Sequence, residues 1–296
     1  MPGRTVGIVG ESGSGKTMAS LAVMGLLPRN ARITSGEVLL NGQNLVGMSQ
    51  GEMRERRGSE IGLVPQDPYS SLDPSFSIGN QLTEAFKLHT RLRGKALAQA
   101  LIASLERVRI PFAADRLRQY PHQLSGGMLQ RVVSAIALAG GPKVLIADEP
   151  TTALDVTTQA QYLLLLGELQ KTTGFALVLI SHDLLVVRNM CERVVVMYAG
   201  QVVEEGNLSD VFDRPLHPYS RALVGAIPMI ASAGRLEAIE GKMPDPGDLL
   251  PGCHFAPRCK YARSICFSSS PKLTPRGRSD RSARCWGTEP DGWIAS

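Results

Sequence analysis

Gly10-Glu11-Ser12-Gly13-Ser14-Gly15-Lys16-Thr17 decides the reading of this chain. The stretch satisfies the pattern G-x-x-x-x-G-K-[ST] without a mismatch. Thr5-Val6-Gly7-Ile8-Val9 stands before it. That run is short and β-branched, and it is bounded by glycine, which predicts a buried strand. Behind the loop, Met18 to Leu27 reads as an apolar helix ended by Pro28. In a strand–loop–helix unit of this kind, glycines let backbone N–H groups curl around phosphate oxygens. The helix N-terminus adds a favourable dipole and unpaired donors. Lys16 is then placed for the β- and γ-phosphates, and Thr17 for Mg²⁺.

Working outward, short apolar runs alternate with helical patterns. Gly36-Glu37-Val38-Leu39-Leu40 followed by Asn41-Gly42 predicts a hairpin. Ile61-Gly62-Leu63-Val64 is a strand pattern ending at Pro65-Gln66-Asp67-Pro68. Residues 78–124 carry helical spacing, and so does Met128 to Ala139. Val144-Leu145-Ile146-Ala147 is an apolar strand ending in Asp148-Glu149-Pro150. A helix is predicted over 156–171, and a strand from Phe175 to Ile180 ends in Ser181-His182-Asp183. A helix at about 184–190 and strands at 194–198 and 201–206 follow. Such alternation argues for an α/β fold around a mostly parallel sheet. A carboxylate at a strand's C-terminal end suits Mg²⁺ through water, which is the expectation for Asp148. Glu149 beside it is the candidate general base or water-positioning residue.

Composition narrows the classes. The chain has 296 residues and a formal charge of +5, with 43% hydrophobic and 20% charged residues, an ordinary globular balance. Residues 1–250 hold 24 basic and 24 acidic side chains, so the net charge lies in the last 46 residues. No apolar run approaches the roughly 18–20 residues that span a bilayer. The first residues show no signal-peptide pattern. A disulfide-dense secreted scaffold is also excluded, because four of the five cysteines lie in the tail. A charge carried by a tail is no nucleic-acid footprint of the main domain.

The motifs in order resemble those of ATP-binding cassette (ABC) ATPases. Leu124-Ser125-Gly126-Gly127-Met128 looks like the family's signature loop, with Met where glutamine is usual. The resemblance implies that this loop contacts the γ-phosphate of ATP bound to a second, homologous ATPase subunit. It implies further that Gln66 is the Q-loop residue, which senses Mg²⁺ and couples to the membrane subunit. Asp155 in Ala153-Leu154-Asp155 is then the D-loop residue, and His182 the switch histidine. The implied catalytic set is Lys16, Gln66, Glu149 and His182. The implied ATP-binding set is Gly10, Glu11, Ser12, Gly13, Ser14, Gly15, Lys16, Thr17, Gln66 and Asp148, with Mg²⁺ on Thr17 and Asp148. The fold implied is a P-loop NTPase core with a helical subdomain at about 75–135.

A narrower resemblance points to the dipeptide/oligopeptide/nickel importer ATPases. It rests on Gln66-Asp67-Pro68, Ser71-Leu72-Asp73-Pro74, Tyr120-Pro121-His122-Gln123, His217-Pro218-Tyr219-Ser220-Arg221-Ala222-Leu223 and Pro251-Gly252-Cys253-His254-Phe255. It implies a peripheral subunit on the cytoplasmic face of a bacterial membrane. Two such ATPases would drive two permease subunits fed by an extracytoplasmic solute-binding protein. Peptide is the expected solute, nickel or another small solute the alternative, and a non-catalytic structural subunit the rival reading. The expected organisation is a cassette over 1–215, a linker over 216–245 and a cysteine module over 246–296.

Cys253, Cys259, Cys266 and Cys285 lack the tight C-x2–4-C pair usual for structural zinc. Wider thiolate spacing can hold an iron–sulfur cluster. Some relatives in the resembled family are known to carry a [4Fe–4S] cluster in this region. Zinc and no metal remain the alternatives. Arg258, Lys260, Arg263 and Arg284 are expected to offset thiolate charge. Cys191 reads as a half-buried helix residue. Only nine residues precede Gly10, fewer than the family's usual antiparallel β subdomain with its adenine-stacking aromatic requires. The strand at 36–40 is therefore expected to leave an exposed edge, and a missing N-terminal segment is the favoured explanation.

Overall fold

A computed structural model describes residues 3–227, 239–276, 280–288 and 292–294. Part of the expected linker, 228–238, lies outside the described residues. In chain order the elements begin with β1 (Thr5–Val9), α1 (Lys16–Val23), β2 (Leu39–Leu40), β3 (Gln43–Asn44), α2 (Gln50–Arg56) and β4 (Ile61–Val64). A helical stretch follows, with α3 (Ile78–His89), α4 (Gly94–Arg107), α5 (Ala113–Arg116) and α6 (Gly126–Ala137). Then come β5 (Val144–Asp148), α7 (Val156–Thr173), β6 (Ala176–Ser181), α8 (Leu184–Met190), β7 (Arg193–Tyr198) and β8 (Gln201–Asn207). The chain closes with α9 (Leu208–Asp213), α10 (Pro218–Gly225), α11 (Ser264–Ser268), β9 (Thr274–Pro275) and β10 (Ser282–Ala283).

The chain forms two compact units. Met1–Arg4 with Thr17–Leu179 make one, and Thr5–Lys16 with Ile180–Ser296 make the other. In the first, β4 runs parallel to β5 with Ile61 opposite Val144 and Val64 opposite Ala147. Helices α3, α4 and α6 pack on one another. Leu82, Leu97, Leu101 and Leu105 are buried, as are Leu129, Val132 and Val133 of α6. Each such side chain contributes about 1.5–3 kcal/mol on burial. Helix α7 packs on α6, burying Tyr162, Leu165 and Leu166, and the Tyr162 hydroxyl pairs with Ser134 Oγ at 2.8 Å. The Asn41-Gly42 turn forms as expected, with φ of 51° and 81°, the geometry of a type I′ hairpin. Its strands are shorter than predicted, two residues each, and Leu39 is exposed.

In the second unit β1 runs parallel to β7, with Val6 opposite Arg193 and Val9 opposite Val196. A tight turn at Ala199-Gly200, both at positive φ, returns β7 antiparallel into β8. The tail then adds to this ladder. β10 pairs with β8, and β9 with β10, both antiparallel. Nothing in the periodicity of 274–283 marks it as strand; the pairing forms where β8 offers its edge. Part of the expected linker is also helical, as α10. His217 caps it, with Nδ1 accepting from the Tyr219 N–H at 3.1 Å. Burial, then the Arg284 charge, pulls the His217 imidazole down to about 3, which keeps Nδ1 available as an acceptor.

Candidate nucleotide site and cysteine module

Gly10 to Lys16 of the phosphate loop belong to the second unit, and Thr17 to the first. Gly10 follows β1 directly, and a Cβ there would collide with the Met197 carbonyl oxygen of β7. Gly15 sits at φ 97°, which favours glycine. Helix α1 starts inside the motif at Lys16, earlier than the predicted Met18, and ends at Val23 rather than Leu27. Lys16 is buried and its Nζ donates to the carbonyls of Gly10 (2.8 Å) and Glu11 (3.1 Å). The ammonium therefore lies over the loop it was expected to serve. Ser14 is fully buried and its Oγ has no hydrogen-bond partner among the described residues. An orphaned hydroxyl within a glycine loop fits an incoming phosphate oxygen. His182 follows β6 and is exposed, while Asp183 caps α8 by accepting from Leu185 N (2.8 Å) and Val186 N (3.4 Å).

The carboxylate residues belong to the first unit. Asp148 is the last residue of β5 and is 3% exposed. Glu149 has φ 44°, a left-handed conformation that costs a non-glycine residue about 1–3 kcal/mol and clusters at functional sites. Gln66 Nε2 donates to Glu149 Oε2 at 3.2 Å, and Thr152 Oγ1 donates to the same oxygen at 3.1 Å. The structure thus brings together Gln66, expected as the Q-loop residue, and the candidate base, 83 positions apart in sequence. Thr17 is exposed on α1. In the signature loop Leu124 is buried, and Ser125 caps α6 by accepting from Met128 N at 3.4 Å. Asp155 caps α7, accepting from Thr157 N (3.1 Å), Thr158 N (3.0 Å) and Thr158 Oγ1 (2.6 Å). The Thr158 hydroxyl, then the amides, holds this carboxyl below the usual range. Its capping role was not anticipated, although Asp-Val-Thr-Thr before an apolar run is an N-terminal helix signal.

Sequence comparison decides the family. A model described as "ABC transporter" matches residues 1–152, and one described as "Oligopeptide/dipeptide transporter, C-terminal region" matches residues 203–266. The chain belongs to the ABC transporter ATP-binding family. This cassette is 44% identical to the oligopeptide transport ATP-binding protein AppD of Bacillus subtilis, over 98% of this chain and 89% of the relative. It is 45% identical to the oligopeptide transport ATP-binding protein OppD of Escherichia coli, over 92% of this chain and 82% of the relative. The dimeric ATP-binding cassette MJ0796 in a post-hydrolysis state, bound to ADP and Pi, superposes with a TM-score of 0.61 at 30% identity. That match covers 70% of this chain and 86% of the other. CbiO1 of Clostridium perfringens, part of the cbiONQ transporter complex, gives 0.62 at 28% identity over 77% of this chain and 86% of the other. The fold is accordingly a P-loop NTPase core with a helical subdomain, and the chain is an ATPase.

All four tail cysteines line one small cavity of about 20 Å³, with His217, Phe255 and Trp286 beside them. Burial pushes the Cys253 and Cys259 thiols up to about 11, and the neighbouring thiols add to the rise. Cys285 is pushed up as well, chiefly by burial. The Arg263 N–H donates to Cys266 Sγ at 3.5 Å. The expected charge compensation is not what the arginines do. Arg258 pairs with Glu11, Arg263 lies over the Trp293 ring at 4.2 Å, and Arg284 donates to the carbonyls of Val202 and Pro271. Among the described residues no group of three or more His, Cys, Asp or Glu is arranged to hold a metal ion. Cys191 is buried rather than half-buried, and burial pushes its thiol up to about 12, which makes it inert.

Proposed function

We propose that this cassette couples ATP hydrolysis to the import of di- or oligopeptides, acting from the cytoplasmic face on two permease subunits. The observation that carries the substrate class is the match of residues 203–266 to the oligopeptide/dipeptide transporter C-terminal region. Oligopeptide and dipeptide transport ATP-binding proteins that align over nearly the whole chain support it. A second ATPase subunit completes the working pair, with Leu124, Ser125, Gly126, Gly127 and Met128 facing the partner's nucleotide.

Each residue then has a task. Loop amides from Gly10 to Gly15 hold phosphate oxygens, with Glu11, Ser12, Gly13 and Ser14 shaping the cradle. Lys16 neutralises the β- and γ-phosphates. Thr17 and Asp148 would hold Mg²⁺, which supplies charge neutralisation at the β,γ-bridge. Glu149, steadied by Gln66 and Thr152, orients a water for in-line attack on the γ-phosphorus. The water oxygen bonds to phosphorus, the bond to the bridging oxygen breaks, and ADP leaves with that electron pair. Glu149 takes the water's proton, while His182 donates to the transferring phosphoryl oxygens. Asp155 keeps the start of α7 in register for the partner. The test is uptake of labelled di- and oligopeptides in cells lacking this gene, with nickel as comparison. Loss of peptide uptake alone is expected. Loss of nickel uptake with peptide uptake intact would overturn the substrate assignment.

We propose an iron–sulfur cluster at the tail cavity, because the four thiols line it together and their sequence spacing lacks the tight pair usual for structural zinc. Cys253, Cys259, Cys266 and Cys285 would be its ligands, and the Arg263 N–H would tune the Cys266 sulfur. Its chemistry there is structural or regulatory. Anaerobically purified protein is expected to show visible charge-transfer absorbance, with iron and sulfide in equal amounts. Zinc alone in elemental analysis would overturn the assignment.

A further inference from the structure

The phosphate-binding loop is tied to the C-terminal module by contacts that no nucleotide-site motif contains. The Glu11 N–H donates to the Tyr219 hydroxyl at 2.9 Å. Arg258 Nη1 donates to both Glu11 carboxylate oxygens, at 3.2 and 3.1 Å, and to the Tyr198 hydroxyl at 3.2 Å. The rest of the guanidinium is equally engaged. Nε donates to the Glu240 carbonyl and Nη2 to the Ile239 carbonyl, at 2.8 and 3.2 Å. The Arg258 side chain is 6% exposed and lies over the rings of Tyr198 and Phe255. Tyr198, Tyr219 and Phe255 are mutually packed, with ring centroids 4.6 to 5.4 Å apart. The far side of the loop is fixed too. The Ser14 carbonyl accepts from Gly200 N at 3.0 Å, and the neighbouring Ala199 carbonyl pairs with His254 Nδ1 at 2.9 Å.

We infer that Arg258 and Tyr219 are positioning residues for the phosphate-binding loop, so that the cysteine module holds the loop in its anion-binding shape. Two physical effects make this matter. A carboxylate at Glu11 would repel phosphate, and Arg258 neutralises it through one guanidinium nitrogen shared between both carboxylate oxygens, the arginine side being buried. A loop already pinned at Glu11 and Ser14 also loses less freedom when nucleotide arrives. Arg258 directly precedes Cys259, and His254 directly follows Cys253. Two of the four thiols therefore sit one residue from a contact with the loop or with the turn that holds it. The inference rests on this loop binding ATP, and goes beyond it by assigning residues more than 200 positions away a part in that binding.

The experiment is equilibrium ATP binding by the full-length chain, with melting temperature measured on each variant. Wild-type binding is the reference, and a wild-type chain that binds no ATP overturns the inference together with the ATP site. Arg258→Met is expected to raise the ATP Kd about tenfold, the worth of one charged hydrogen-bonded contact. Arg258→Lys is expected to fall between it and wild type. Tyr219→Phe removes a single oxygen from a packed ring and is expected to raise Kd severalfold with little change in melting temperature. In Glu11→Gln/Arg258→Met the uncompensated carboxylate is gone, so the loss is expected to be smaller than the product of the single losses. In turnover assays KM should rise while kcat is retained, because Glu149 is untouched. Unchanged ATP affinity in both Arg258→Met and Tyr219→Phe would overturn the inference. So would losses that only follow melting temperature, or a double variant equal to the product of the singles.

Discussion

Glu149→Gln is expected to abolish ATP turnover while ATP remains bound. The substitution keeps the shape of the side chain and its hydrogen-bonding reach to Gln66 and Thr152. It removes the charge that accepts a proton in the proposed mechanism. A positioned general base is worth about 10²–10⁴ in rate, so hydrolysis should fall by at least about a hundredfold. Loop, lysine and Mg²⁺ contacts are untouched, so affinity for ATP should hold or rise, and pairs of cassettes should persist with ATP between them. The measurement is single-turnover hydrolysis alongside size-exclusion of the ATP-loaded chain. Equal turnover in wild type and variant would remove Glu149 from the mechanism. The left-handed backbone at Glu149 bears on the same point. A strained conformation persists only where the surroundings hold it, and here two hydrogen bonds hold the carboxylate's direction.

Arg281→Ala is expected to be the most destabilising single change at the tail. Glu204 in β8 is fully buried and accepts from Leu216 N, His217 N and Arg281 Nε and Nη2, the last at 2.6 Å. Arg281 is 9% exposed and also donates to the Arg214 carbonyl. Removing the guanidinium leaves a carboxylate buried with only backbone donors. Breaking a buried pair in this way costs about 3–5 kcal/mol, which lowers the melting temperature by roughly 10 °C in a chain of this size. Arg193 pairs with Asp280 next door, but with side chains 34% and 83% exposed. Arg193→Ala should therefore cost less than about 1 kcal/mol. Thermal unfolding of the two variants side by side checks the contrast. Similar melting temperatures would show that the Glu204–Arg281 pair does not anchor the tail strands.

Much of the cassette was legible in the chain because it is written locally. A glycine loop between a β-branched strand and a helix needs only adjacent residues to specify it, and so does a carboxylate closing the apolar run at Val144–Ala147. The start of α6 moved by two residues, where the Ser125 hydroxyl caps it by a hydrogen bond that periodicity does not register, whereas α7 begins at Val156 as expected, behind its Asp155 cap. The two-residue strands β9 and β10 escaped notice because Thr274–Pro275 and Ser282–Ala283 have no alternation of their own. They are strands only because β8 offers an edge.

By itself the amino-acid sequence determined the α/β class, the phosphate-loop motif and the presence of four cysteines in a basic tail. Tertiary structure alone decided what the tail does with its charges. Arg258 reaches back 247 positions to Glu11, and Arg281 reaches 77 to Glu204. Of the cationic side chains that looked like a counter-charge for thiolates, Arg258 is directed to the phosphate loop, Arg263 to an aromatic ring and Arg284 to backbone carbonyls. The reason is physical. A motif is set by neighbours along the chain, whereas a buried charge must take whichever partner folding brings within hydrogen-bond distance. That choice depends on how β8, α10 and the cysteine segment pack, which no local pattern of residues records.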